Sequence, residues 1–187
     1  MFRSEPRVST VVAPERLHAE HDVSLFDNGK HPSLDAWLKS RALASEGLSA
    51  RTYVVHPRDT PQRVIAYYAI STAMEQRLSL PAAKKRRAGK TRRTAKIRRA
   101  APDQVPLLLI GRLAVDREYQ GKGLGSDLLH DGVRRCLEVS EIAGVRAIIA
   151  HAIDGDAVRF YQQYGFVSSP LGERVMLLPI EAARAVA

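Results

Sequence analysis

Cysteine is almost absent from this chain. Its 187 residues include one, Cys136, which excludes an intrachain disulfide framework. No Cys/His cluster shows zinc-ligand spacing, so no metal centre is expected. No apolar run approaches the ~20 residues of a membrane span. The segment Met1 to Val12 carries no long apolar core of the kind a signal peptide needs. These absences predict a cytoplasmic protein without membrane attachment. No internal repeat is visible.

Acidic residues are missing from one stretch. Between Lys84 and Arg99 stand ten basic residues, Lys84, Lys85, Arg86, Arg87, Lys90, Arg92, Arg93, Lys96, Arg98 and Arg99, with no Asp or Glu among them. Without that segment the chain has 19 basic against 20 acidic residues, a net of −1 in place of +9. The basicity therefore belongs to one segment and not to the fold. Such a patch is the electrostatic footprint of a polyanion, nucleic acid before membrane. It lacks aromatic residues, so phosphate contact is indicated and base stacking is not. A solvated, self-repelling loop is the alternative reading of the same residues.

What is present is ample for a core. The apolar fraction of 45% is ordinary for a globular protein. The length predicts one domain over 1–187, with the basic run as an inserted segment at about 79–105. Arg16 to His21 reads as a first strand. Phe26-Asp27-Asn28-Gly29 reads as a turn. Ser33 is a candidate N-cap for a helix with Leu34, Trp37, Leu38 and Ala42 on one face, ended by Gly47. Arg51 to His56 and Val64 to Thr72 read as paired strands around a Pro-rich turn. A third long strand runs from Leu107 to Val115. A helix over Gly123 to about Ala143 follows, with Leu124, Leu128, Leu129, Val133, Cys136 and Leu137 inward. Then come a strand Val145 to Ala152, a helix Gly155 to Gln163 and a strand near Val175 to Leu178. This order is α/β (α+β), with a mostly antiparallel sheet and one parallel pair where the long helix crosses over.

The junction after the third long strand carries the chemistry. Gln120-Gly121-Lys122-Gly123-Leu124-Gly125-Ser126 links an apolar strand to an amphipathic helix. Glycines let the backbone approach a bulky anion, and the helix start offers unpaired N–H groups and a positive dipole end. The stretch is therefore a candidate pyrophosphate cradle. It fits neither G-x-G-x-x-G nor G-x-x-x-x-G-K-[ST]. It does match Q/R-x-x-G-x-G/A, with Gln120, Gly123 and Gly125 in the signature positions. A second segment, Asp154-Gly155-Asp156-Ala157-Val158-Arg159-Phe160-Tyr161, then Gly165-Phe166, is similar to N-x-x-A-x-x-x-Y followed by a Gly-Phe turn. Asp154 stands where Asn is usual and can still cap the helix.

Both motifs resemble those of the GNAT superfamily of acyl-CoA N-acyltransferases, most closely from Leu107 to Pro179. The resemblance implies acetyl-CoA as co-substrate and no metal. It implies that main-chain groups of Leu113, Ala114 and Val115 bond the pantetheine arm. Amides from Gln120 through Ser126 (Gly121, Lys122, Gly123, Leu124 and Gly125 between them) would take the pyrophosphate, with the Lys122 charge added. Asp154, Ala157 and Phe160 would flank the pantetheine and thiol end, though Phe160 is as readily explained as core. Tyr161 matches the tyrosine general acid, a phenol basic enough to stay protonated until it gives its proton to sulfur. No carboxylate announces itself as a base, and His151 and His56 are weak candidates. An α-amine, titrating near ~8, needs less help than a lysine near ~10.4.

Upstream segments narrow the resemblance. Phe26-Asp27-Asn28-Gly29, Leu34-Asp35-Ala36-Trp37-Leu38, Arg51-Thr52-Tyr53-Val54, Ala66-Tyr67-Tyr68-Ala69 and Val105 to Asp116 resemble the toxins of type II toxin–antitoxin modules. That branch implies acetylation of the α-amine of aminoacyl-tRNA, a ribbon-helix-helix antitoxin as partner, and a homodimer. The basic run is longer and denser than the branch leads one to expect. An enzyme acting on a small-molecule or protein amine, and a non-enzymatic acyl-CoA- or nucleic-acid-binding module, are the alternatives.

Overall fold

The computed structural model describes residues 10–76, 104–169 and 171–186. The ten basic residues between Lys84 and Arg99 lie outside them. The strands are β1 (Glu15–Arg16), β2 (Arg51–Val55), β3 (Ala66–Gln76), β4 (Gln104–Val115), β5 (Ala147–His151), β6 (Val167–Ser168) and β7 (Val175–Pro179). The helices are α1 (Pro32–Trp37), α2 (Leu43–Ser45), α3 (Leu124–Ile142), α4 (Gly155–Gln163) and α5 (Ile180–Val186). The sheet order is β1-β2-β3-β4-β5-β7-β6. Described pairings are antiparallel except β4 with β5, which is parallel from Leu107↔Ala147 to Ile110↔Ala150. A parallel pair requires a crossover, and α3 supplies it. The expected mixed sheet is therefore present, flanked by helices.

The described residues form two compact units, one within Met1–Ile70 and Arg112–Asp131, the other within Ser71–Gly111 and Gly132–Ala187. In the first, Leu17, Phe26, Leu38, Ala42, Val54, Val64, Tyr67 and Ala114 form the core, with Val23, Leu34 and Trp37 against it. Phe26 meets Tyr67 edge-on and Trp37 stacks on Tyr67. The Tyr67 hydroxyl donates to the Leu34 carbonyl at 2.9 Å, giving a buried phenol its partner. Tyr53 pairs with Tyr68 across β2 and β3, rings stacked at 5.1 Å, an interstrand aromatic pair of the kind that fixes register. In the second unit Val105, Leu107, Ala147, Ile149 and Leu177 form the core. β5 is buried from Ala147 to Ala150, as its continuous apolar run requires of a parallel strand covered on both faces.

Several boundaries differ from the sequence expectation. The first strand is Glu15–Arg16 and not Arg16 to His21, because His18–His21 turns, with the His21 N–H donating to the His18 carbonyl. Ser33 is not the N-cap: His31 is, and Pro32 sits in the first helical turn, where its fixed φ favours the start. The helix then widens to a π turn over Leu38–Ala42 before α2, so its apolar face is not that of one regular helix. β3 and β4 begin or end beyond the expected Val64–Thr72 and Leu107–Val115, reaching Gln76 and starting at Gln104. β6, α5 and a short 3₁₀ turn at Arg117–Tyr119 were not foreseen. Leu128, Leu129, Val133 and Cys136 of α3 are buried as expected, while Leu124 and Leu137 are half-buried.

Candidate active site

The end of β4 is held by a net of polar contacts within the first unit. The Asp116 carboxylate is buried. It accepts from the Glu118 N–H at 3.0 Å, capping the 3₁₀ turn, and from the Asp27 N–H at 3.1 Å. Its own N–H donates to the Ile65 carbonyl at 2.8 Å. Arg117 reciprocates with Asp27: its N–H donates to the Asp27 carbonyl at 2.9 Å and its guanidinium meets the Asp27 carboxylate at 3.1 Å. The Phe26–Gly29 turn is thus fastened to the strand end. Asn28 organises that turn internally, its Oδ1 accepting from the Lys30 and His31 N–H groups. Its main-chain and side-chain nitrogens both donate to Asp35 Oδ1. Gly29 has φ +76°, and a Cβ there would come within 3.2 Å of Arg117 Cβ.

The loop that follows is shaped by two left-handed glycines, Gly121 at φ 73° and Gly123 at φ 88°. A Cβ at either would meet nothing within 4 Å. The glycines are therefore required by backbone conformation, and the space above them is open. α3 begins at Leu124, so the N–H groups of its first turn lack intrahelical carbonyls. The Ser126 and Asp127 N–H groups, however, donate to the Gly123 carbonyl at 3.0 and 3.2 Å, as does the Ser126 hydroxyl at 2.7 Å. Lys122 folds back: its ammonium donates to the Glu118 carbonyl at 3.0 Å and lies 5.0 Å from the Tyr119 ring centroid. Gln120 places its side-chain amide between the carbonyls of Asn28 and Val115, both at 2.9 Å. Leu113 and Val115 are half-buried and Ala114 is buried. The parallel register with β5 covers Leu107–Ile110, and β4 runs beyond it to Val115.

The second motif lies in the other unit. The Asp154 carboxylate accepts from the Ala157 N–H at 2.8 Å, so the Asp in place of Asn caps α4. Phe160 is half-buried, with its ring 5.4 Å from that of Tyr161 and 5.2 Å from that of Tyr164. Tyr161 is buried, and its ring also packs against Phe166 at 5.3 Å. The Gly165-Phe166 turn closes the helix, with the Phe166 N–H donating to the Tyr161 carbonyl at 3.2 Å and Gly165 at φ 84°. Burial pushes the Tyr161 hydroxyl up to about 12, because a phenolate is poorly solvated there. It remains a proton donor through the physiological range. Tyr164 is half-buried, and His151 is exposed at the end of β5. His56 faces Glu15 and the Pro57 carbonyl.

Sequence reasoning missed the Asp116–Asp27 and Gln120–Asn28 contacts. The Asp27-Asn28-Gly29 turn was visible, but nothing in a linear pattern ties it to residues about ninety positions later.

Residues 84–168 match the acetyltransferase (GNAT) domain. The chain is 37% identical over 174 residues to the tRNA-acetylating toxin of Mycobacterium tuberculosis (strain ATCC 25618 / H37Rv), covering 93% of this chain and 95% of that relative. Its fold is similar to that of AtaT complexed with acetyl-methionyl-tRNAfMet, with a TM-score of 0.78 at 22% identity over 94% of this chain and 98% of that one. It is also similar to AtaTR bound with AcCoA, with a TM-score of 0.76 at 23% identity over 94% and 97% of the two chains. With 37% identity over 93% of its length to a tRNA-acetylating toxin, and the acetyltransferase (GNAT) domain matched over 84–168, the chain belongs to the GNAT acetyltransferases, in the family of the tRNA-acetylating toxins.

Proposed function

We propose that this protein transfers the acetyl group of acetyl-CoA to the α-amine of aminoacyl-tRNA, as the toxin of a toxin–antitoxin pair. The observation that carries the reading is the 37% identity, over 93% of this chain, to a tRNA-acetylating toxin, joined to a loop whose left-handed glycines leave open space before a helix start. The main chain of Leu113, Ala114 and Val115 receives the pantetheine arm. Amides of Gly121, Lys122, Gly123, Leu124 and Gly125 hold the pyrophosphate. Gln120 contributes by shaping the loop through its side chain, and Ser126 by closing the first turn of α3 on the Gly123 carbonyl. Asp154, Ala157 and Phe160 serve the thiol end.

The reaction is direct transfer. The neutral amine attacks the thioester carbonyl carbon, the C–N bond forms, and the C–S bond breaks as the tetrahedral intermediate collapses. Tyr161 gives its phenolic proton to the departing thiolate, the amine loses one proton to solvent, and the tyrosinate takes a proton back from solvent, so the enzyme is restored. An α-amine with a pKa near ~8 is already partly neutral at cellular pH, which suits a sequence in which no carboxylate announces itself as a base.

The basic residues between Lys84 and Arg99 are assigned to tRNA phosphates, which steer and position the acceptor. A ribbon-helix-helix antitoxin is the partner, the assembly is a homodimer, and the location is cytoplasmic. Among the described residues no helix is long and apolar enough to cross a membrane.

The test is incubation with labelled acetyl-CoA and charged bulk tRNA. Label in the aminoacyl-tRNA fraction supports the proposal. Label only on polyamines or protein rejects it in favour of a GNAT enzyme with another acceptor. Neutralising the ten basic residues is expected to weaken tRNA binding and flatten its salt dependence; an unchanged slope assigns them to a solvated loop.

A further inference from the structure

The Phe26-to-Gly29 turn and the start of α1 lie in the first unit with the glycine loop, and the proposed reaction uses none of their side chains. Asn28 joins them. It is buried, and its main-chain N–H donates to Asp35 Oδ1 of α1 at 3.1 Å. Its Nδ2 donates to the same oxygen at 2.5 Å and to the His31 carbonyl at 2.7 Å. Its Oδ1 accepts from the Lys30 and His31 N–H groups at 3.1 and 2.7 Å. Its carbonyl accepts from Gln120 Nε2 at 2.9 Å.

Every polar group of Asn28 therefore has a partner, as burial requires. The set calls for a short side chain that both donates twice and accepts, which asparagine supplies. Aspartate here would set an acceptor against Asp35 Oδ1 and the His31 carbonyl. The anchor at the far end is fixed independently. Leu34 and Trp37 of α1 pack against the core, and the Leu34 carbonyl accepts from the Tyr67 hydroxyl at 2.9 Å. Asp35 is thus held by a packed helix. At the near end, Gln120 opens the glycine loop, and its side-chain amide spans the carbonyls of Asn28 and Val115. The entry of the loop is set by the separation of those two oxygens.

We propose that Asn28 and Asp35 are positioning residues for acetyl-CoA: Asp35 fixes Asn28, the Asn28 carbonyl fixes Gln120, and Gln120 holds the loop in shape before the cofactor arrives. The inference rests on the reading of Gln120 to Ser126 as the acetyl-CoA loop. Gly121 and Gly123 give the hold its purpose. Glycine loses more conformational freedom on ordering than any other residue, so a loop turned by two left-handed glycines costs much to order at the moment of binding. An order already imposed by the fold lowers that cost and raises affinity. Neither residue is assigned a contact with the cofactor, and both act through Gln120. The relay joins α1 to a loop about ninety positions later, so a change on α1 is read out as cofactor affinity.

The experiment is calorimetric titration of acetyl-CoA into the full-length protein and its Asn28→Ala and Asp35→Ala variants, each also made with Gln120→Ala. Both single variants are expected to bind about tenfold more weakly, because hydrogen bonds to a charged group are lost. Removing the Asp35 carboxylate by itself favours an anionic ligand, so a fall in affinity there reports the lost hydrogen bonds and not the charge. Alanine favours a helix, so Asp35→Ala carries the test where Asn28→Ala does not fold. With Gln120→Ala already present, neither change is expected to cost more than about twofold, the non-additivity of residues acting in one chain. In labelled acetyl transfer the KM for acetyl-CoA should rise with kcat kept, whereas mere loss of folded protein lowers kcat alone. Wild-type affinity in Asp35→Ala overturns the proposal, as does an undiminished loss in the Gln120→Ala background. A wild-type chain that binds no acetyl-CoA rejects the cofactor reading itself, an outcome distinct from binding that ignores Asp35.

Discussion

The Gln120 side-chain amide donates to the Asn28 carbonyl at 2.9 Å, across 92 positions of sequence, and to the Val115 carbonyl at the same distance. A residue in the signature position of the glycine loop thus uses its side chain to fasten that loop to a distant turn and to the strand before it.

Gln120→Ala removes both bonds. A neutral hydrogen bond contributes about 0.5–1.5 kcal/mol net, so a stability loss of about 1–2 kcal/mol is expected in urea unfolding, with weaker acetyl-CoA binding. Gln120→Glu loses the same bonds and adds a negative charge beside the cradle. Its affinity should fall below that of the alanine variant in calorimetry; parity between the two would show that charge at this position does not reach the ligand.

Gly123→Ala tests the left-handed backbone. The added methyl group meets nothing within 4 Å, while φ is 88°. The penalty is conformational, about 1–2 kcal/mol for an L-residue in that region. Acetyl-CoA affinity is expected to drop about tenfold as the loop relaxes to negative φ, with circular dichroism of the folded protein unchanged.

Tyr161→Phe keeps the ring packing against Phe160 and Phe166 and removes the hydroxyl proposed as the proton donor. Acetyl-CoA binding should be retained, and kcat should fall by about 10²-fold, the lower end for loss of a general acid. Unchanged turnover in steady-state assays would move the acid elsewhere, Tyr164 first.

The same tyrosine makes the fold sensitive to alkali. Burial raises the Tyr161 hydroxyl to about 12, and burial raises that of Tyr67 too. For a group whose folded pKa lies above its unfolded value, stability is fully present below the unfolded value near ~10 and is lost as pH rises toward the folded one. Urea midpoints measured from pH 9 to 12 should fall, and Tyr161→Phe should fall less steeply. Equal slopes would show that Tyr161 ionises freely.

Cys136 is buried, and burial pushes its thiol up to about 12. The thiolate is the reactive form, so a disulfide reagent at pH 8 should label the native protein only at its unfolding rate and the urea-unfolded chain at once. Rapid native labelling would contradict the packing of α3.

Much of the fold is legible in local pattern. α4 begins and ends where the Asp154 cap and the apolar spacing place it, because cap and periodicity act within a single turn. β5 and β7 are recognisable as short apolar runs for the same reason. The helix after Gly29 is less legible: Pro32 takes the start from Ser33, and a π turn breaks the periodicity on which such a reading depends. β6 has two residues and pairs only because β7 is beside it, which no local preference reports.

By itself the sequence determined the order of the longer strands and helices, the glycine loop before α3, the phenol on α4 and the family, because each depends on residue type at short spacing. Tertiary structure alone decided that Asp116 holds Asp27, that Gln120 reaches Asn28, and that Glu15 and His56 meet. Those contacts join residues far apart in the chain, and a hydrogen bond has an angle and a length that only the folded backbone can set.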